Sequence, residues 1–319
     1  MDLKNLVWIS LVFMLITGLN SEKEAVLELD AKANLGEGAI WHPTENKLYW
    51  IDIEGKLLHI YDPETHTNRS LPVGARIGTV VPVAGGGVLV ALQTGIHKLD
   101  IKTGKLQWLN NPLPDSAMRF NDGKCDPAGR FWVGSLAMDS RKRGASLYRM
   151  GNDMKIHTML DDVTISNGIV WTADKKTMYY NDTPTMTVQA FDYNNDSGEL
   201  SNRRIAIRIP QGMGAPDGMT IDSEGKLWVA LWGGFAVARF DPDTGELLAK
   251  VKVPAPHVTS CAFGGKNFET LYITTAQAWV KPEVLKQYPL SGGVFAVKPG
   301  VKGLPTNMFE QSQVTGNNR

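Results

Sequence analysis

Neither sign of charge is in surplus in this chain of 319 residues, where 33 Lys and Arg balance 33 Asp and Glu. Without a basic excess there is no electrostatic footprint for a polyanion, so neither nucleic acid nor an acidic membrane surface is an expected partner. Cysteine is scarce: Cys125 and Cys261 are the only two, too few for a disulfide scaffold, and both are expected to be free, buried thiols. The six histidines never occur as His-x-x-x-His, which excludes a zinc-protease site. No Gly-x-Ser-x-Gly elbow is present, which removes the serine-hydrolase route to ester chemistry. Long apolar runs are missing apart from one, Leu6 to Leu19. It is shorter than the roughly twenty residues of a membrane helix and suits the apolar part of a secretory signal. Residues 1–20 are therefore read as a signal peptide ahead of one domain, 21–319, and the protein as periplasmic or secreted, with no membrane contact beyond the leader. In a host that glycosylates exported chains, Asn68-Arg-Ser70, Asn181-Asp-Thr183 and Asn195-Asp-Ser197 would be acceptor sites.

Helical spacing is also absent over any long stretch, and short alternating or β-branched runs replace it. One set comprises Lys47-Leu-Tyr-Trp-Ile51, Gly87-Val-Leu-Val-Ala91, Arg130-Phe-Trp-Val-Gly134, Thr177-Met-Tyr-Tyr-Asn181, Lys226-Leu-Trp-Val-Ala230 and Thr270-Leu-Tyr-Ile-Thr274. A second set, from Leu57, Gly95, Ser146, Val188, Val237 and Gly293, follows each of the first at a similar offset. The recurrence is roughly forty to fifty residues, the length of a propeller blade. Several runs end in acidic turns such as Asp100-Ile-Lys-Thr-Gly104 and Asp241-Pro-Asp-Thr-Gly245, where Asp bonds the backbone ahead and Gly supplies a positive φ. Six copies predict an all-β fold, a six-bladed β-propeller in one domain; a β-sandwich with accidental regularity is the alternative.

Ahead of each first run stands a short step: Glu37-Gly38, Ile77-Gly78, Asn121-Asp122-Gly123, Asn167-Gly168, Asp217-Gly218 and Thr259-Ser260. Singly, each polar-Gly pair reads as a turn. Together, on the innermost strands of a propeller, Glu37, Asn121, Asn167 and Asp217 would converge at one mouth of the central channel. Two buried carboxylates there would repel, and a divalent cation relieves that. Oxygen donors without thiolate suit Ca²⁺, Mg²⁺ or Mn²⁺ before Zn²⁺.

The segment Arg119-Phe-Asn-Asp-Gly-Lys-Cys-Asp-Pro-Ala-Gly-Arg130, with Ile165-Ser-Asn-Gly168, Pro216-Asp-Gly-Met219, Asp222 to Ala230 and Cys261-Ala-Phe-Gly-Gly-Lys266, resembles the regucalcin (senescence marker protein)/gluconolactonase/luciferin-regenerating-enzyme family from about Leu35 to Val301. The resemblance implies a metal-dependent lactonase with one divalent cation, Ca²⁺ first, held by Glu37, Asn167 and Asp217. It implies substrate contacts from Arg119, Asn121 and a lid acid, here Asp139 in place of a longer Glu. Asp217 would serve as general base, and the partner would be a small sugar lactone, with no protein partner. The alternatives are an arylesterase or organophosphate-type hydrolase on the same site, or a non-catalytic calcium-binding propeller. Arg119 beside Asn121 weighs against the last, since a structural ion needs no substrate-orienting cation next to it.

Overall fold

The alternating runs become the second and third strands of successive antiparallel sheets, in a computed structural model that describes residues 23–139 and 141–311. The leader expected over residues 1–20 lies outside the described residues. Two short strands come first, β1 (Lys23–Glu24) and β2 (Val26–Leu29). The first four-stranded sheet is β3 (Gly36–His42), β4 (Lys47–Asp52), β5 (Leu57–Asp62) and β6 (Thr67–Pro72). The second is β7 (Ile77–Pro82), β8 (Val88–Leu92), β9 (Gly95–Leu99) and β10 (Leu106–Asn110). The third is β11 (Met118–Cys125), β12 (Phe131–Ala137), β13 (Ala145–Met150) and β14 (Ile156–Val163). The fourth is β15 (Ser166–Trp171), β16 (Thr177–Asp182), β17 (Thr187–Tyr193) and β18 (Leu200–Arg208).

The remaining strands form one nine-stranded sheet. Within it, β19 (Ala215–Ile221), β20 (Leu227–Trp232), β21 (Ala236–Phe240) and β22 (Leu247–Lys252) repeat the same order. So do β23 (His257–Gly264), β24 (Thr270–Ala276) and β25 (Val294–Val297). The two stretches touch through a single residue pair, Trp232 with His257. The fourth strand beside β25 is β2, from the other end of the chain, while β1 runs parallel to β22. The first described residues thus tie the last sheet to the beginning of the chain.

Burial falls from the first strand of each sheet to the last. β3, β7 and β15 are buried throughout, whereas β6 and β18 are largely exposed. The first strands are therefore the innermost, and apolar clusters fill the space between neighbouring sheets. A repeated clamp fastens two of the sheets. The indole of Trp132 donates to Asp126 (2.8 Å), and that of Trp228 to Asp222 (2.9 Å), both carboxylates being completely buried. Asp126 also receives Arg130 and Tyr193, each at 2.7 Å, so its charge is paired rather than stranded. Cys125 and Cys261 are free and buried, as expected.

Candidate active site at the head of the inner strands

The polar-Gly steps are not turns. These four, with Ile77-Gly78 and Thr259-Ser260, lie inside the innermost strands, β3, β7, β11, β15, β19 and β23, and each strand loses register at that point. A bulge re-aims side chains, and here it recurs at the same height around the molecule. Glycine is needed at these steps for close approach: a Cβ on Gly168 would lie 2.8 Å from the Asp217 carbonyl, and one on Gly218 2.5 Å from the Ser260 hydroxyl. Two matched acids then set the strand starts. Asp52 accepts the backbone N–H groups of Asn34 and Leu35, just ahead of Glu37. Asp182 accepts those of Thr164 and Ile165, just ahead of Asn167.

These constraints bring three of the expected residues into one hydrogen-bonded chain that runs through Thr183, which was not expected, to the backbone beside Asp217. Arg119 donates to the Asn121 side-chain oxygen (2.8 Å), and Asn121 donates to that of Asn167 (3.0 Å). Asn167 donates to the Thr183 hydroxyl (2.8 Å), which donates to the Pro216 carbonyl (2.8 Å) beside Asp217. Asn181 fixes the same turn of backbone by donating to the Asp217 carbonyl at 2.8 Å. Glu37 and Asp217 are buried neighbours whose carboxyl groups act on each other. Burial and then the neighbouring negative charge push both carboxyls up, Asp122 acting on Glu37 and Glu37 on Asp217. Arg119 is buried beside them, which lowers it to about 10 and leaves it charged at neutral pH.

Sequence reasoning missed Asp122 as a site residue. Asp122 is buried, with one carboxylate oxygen bonded to its neighbour's N–H and the other without a protein partner. Burial raises it, partly offset by Lys124. Its place within Asn121-Asp122-Gly123 was a signal, since two polar residues precede that glycine. Asp139 is not brought to the carboxyl pair. It is half-exposed on the rim and pairs with Arg141 at 3.3 Å, and Arg141 in turn holds Asp115 at 2.8 Å. Asn181 is completely buried, so the glycosylation reading at that position is corrected. A cavity of about 300 Å³ lies at the other end of the inner strands, beneath residues 304–307, and contains no carboxylate. The chemistry is concentrated at the opposite end.

The donor set at the mouth fits a hard divalent cation. Among the described residues no three His, Cys, Asp or Glu side chains gather as metal ligands. The set here consists instead of two carboxylates, Glu37 and Asp217, with an amide oxygen. The Asn167 amide is oriented with its nitrogen spent on Thr183 and its oxygen towards Asn121. The protein supplies surplus acceptors here, including the unpartnered Asp122 oxygen, and an oxygen-only set of this kind suits Ca²⁺, Mg²⁺ or Mn²⁺.

Residues 35–277 match the family described as the SMP-30/Gluconolactonase/LRE-like region. The chain belongs to this family. Its relatives include "Putative sugar lactone lactonase YvrE" of Bacillus subtilis (strain 168), 39% identical over 276 residues, covering 86% of this chain and 94% of the relative. Regucalcin of Danio rerio is 39% identical over 277 residues, with 86% and 94% covered. A solved luciferin-regenerating enzyme superposes with a TM-score of 0.84 at 32% identity, over 90% of this chain and 99% of the other. The fold of this SMP-30/gluconolactonase-like chain is accordingly an all-β propeller of four-stranded units.

Proposed function

We propose that this chain is a lactonase that uses one divalent cation, Ca²⁺ first, to open sugar lactones to their hydroxy acids. We count its nine-stranded sheet as two blades, for six in all, and read residues 1–20 as an export signal. The observation that carries the reading is the buried Glu37–Asp217 carboxyl pair with the Asn167 amide oxygen, bordered by the charged Arg119 and by Asn121. Glu37, Asn167 and Asp217 would hold the cation, which when bound supplies Lewis-acid polarisation of the ester carbonyl.

The rest falls to the protein. Asp217, ionised, takes a proton from the attacking water as that water's oxygen bonds to the carbonyl carbon. The ring C–O bond breaks, and its oxygen takes that proton from Asp217 to leave as the hydroxyl of the product, which returns Asp217 to its ionised form. Arg119 donates to ring oxygens and hydroxyls, and its own bond to Asn121 holds the guanidinium in place. Arg119 also favours this reading over a purely structural ion. The test is a ranking. Asp217→Asn should lower kcat for an aldonolactone by about 10²–10⁴-fold, the scale of general-base catalysis, while Asp139→Ala costs less than about tenfold, the scale of a rim ion pair. The reverse order would contradict the assignment.

A further inference from the structure

Trp279 has no part in that chemistry and is unusually placed for a tryptophan. The residue is 69% exposed, and its backbone has a φ of +60°, a left-handed conformation that bulky residues rarely adopt. Neither the core nor solubility accounts for a strained, exposed indole, and outliers of this kind gather at ligand-binding sites. The surrounding contacts hold it at the mouth. The N–H groups of Gln277 and Ala278 both donate to the Asn34 carbonyl, at 3.0 and 2.7 Å, three residues ahead of Glu37. The Trp279 ring lies 5.9 Å from that of Trp232, which stacks on His257 at 3.8 Å. His257 in turn is bonded through Nδ1 to the Ala278 carbonyl (3.0 Å), beside Trp279.

Trp232 ends β20 opposite Ala215, two residues before Asp217. It packs into the same apolar cluster as Leu35, two residues before Glu37, and as Ala276 and Ala278. The tryptophan pair therefore stands over the starts of both strands that carry the carboxyl pair. The rim elsewhere is different in kind: Arg76 pairs with Glu54 at 2.9 Å, reaches the Met138 sulfur at 3.6 Å, and shares with Glu54 the electrostatic surroundings of Arg119. The mouth thus has a charged side near Arg119 and an aromatic side near Glu37.

Resting on the lactonase reading, we propose that the preferred lactones carry a second ring with a flat apolar face, which stacks on Trp279 and Trp232 while the lactone ring meets Arg119 and Asn121. Aromatic faces reward such stacking. A pyranose joined to an aldonolactone and an aryl group fused to a lactone both offer that face, and the assay separates them. Initial rates are compared for a single-ring aldonolactone, a disaccharide aldonolactone and an aryl lactone, using the full chain and Trp279→Gly, which suits the left-handed backbone and so spares folding. The expected result is a kcat/KM ratio favouring at least one two-ring lactone by about tenfold, equivalent to about 1.4 kcal/mol, expressed in KM and largely lost in Trp279→Gly. The two-ring substrate that shows the ratio identifies the source. A ratio near one in the parent chain, or equal losses on all substrates in the variant, would overturn the proposal. Binding of the disaccharide aldonic acid and of the aryl hydroxy acid, followed by tryptophan fluorescence, gives a readout independent of turnover; equal affinity for parent and variant would also overturn it. No hydrolysis of any lactone would count against the lactonase reading instead, and the binding comparison would still decide this one.

Discussion

Replacing Gly78 with alanine would add one methyl group where the inner wall leaves no room. A Cβ there would lie 2.5 Å from both the carbonyl carbon and oxygen of Phe120 and 2.8 Å from the Asn121 nitrogen. These are backbone atoms of the bulge that presents Asn121, so no rotamer change can relieve the clash. To reach ordinary contact near 3.4 Å, β11 must retreat by roughly 0.9 Å at the bulge. Overpacking of this sort costs about 1–3 kcal/mol. The larger effect is positional, because Asn121 links Arg119 at 2.8 Å to Asn167 at 3.0 Å, and a shift near 1 Å breaks both bonds. A misplacement of about 1 Å is worth about 10²-fold in rate. The assay is lactone hydrolysis alongside thermal unfolding, with Gly74→Ala as control. Gly74 has a φ of +80° and nothing within 4 Å of a Cβ, so alanine there adds backbone strain of about 1–2 kcal/mol without touching the site. If Gly78→Ala kept the parent kcat/KM, or lost no more activity than Gly74→Ala, the placement of Asn121 in the site would be refuted.

Two further outcomes concern stability. His59 is buried against Trp50, with ring centroids 3.9 Å apart, and burial lowers it to about 4. Below its unfolded value near 6.5, the unfolded chain takes up a proton that the folded chain refuses, so stability should fall as pH drops from about 6.5 to 4, by about 3 kcal/mol in all. Urea midpoints should fall more steeply with decreasing pH across that range in the parent chain than in His59→Gln; equal slopes would contradict the account. Asp126→Asn should cost about 3–5 kcal/mol, since it uncouples the buried pair with Arg130 and turns an amide N–H₂ towards groups that already donate. An unchanged Tm would contradict the clamp.

Much of the propeller could be read because its second and third strands combine burial with turns of fixed chemistry. Lys47–Ile51, Thr177–Asn181 and Thr270–Thr274 all fall within strands. The outermost strands could not be read, because sequences such as Thr67–Pro72 face solvent and carry little apolar pattern. Nor could the pairing of β2 with β25, which joins residues about 270 apart in the sequence and has no local signature. At the site, matched repeat positions were enough to bring out Glu37, Asn121, Asn167 and Asp217, but they suggested turns where the backbone forms bulges. Thr183 and Asp182 were hidden because they act from the end of a second strand on a first strand, a contact that only the folded sheet creates. Asp139 was placed from the resemblance alone, and on the rim its nearest charge is Arg141 rather than the carboxyl pair.

The central claim is that Glu37, Asn167 and Asp217 hold a divalent cation needed for ester hydrolysis. It is tested most directly by the rate of aldonolactone opening in the full chain after exhaustive chelation, and again after separate addition of Ca²⁺, Mg²⁺, Mn²⁺ and Zn²⁺. The account predicts that activity disappears on chelation and returns with at least one cation in the parent chain, but not in Asp217→Asn. Undiminished hydrolysis by protein shown to be free of metal would contradict it.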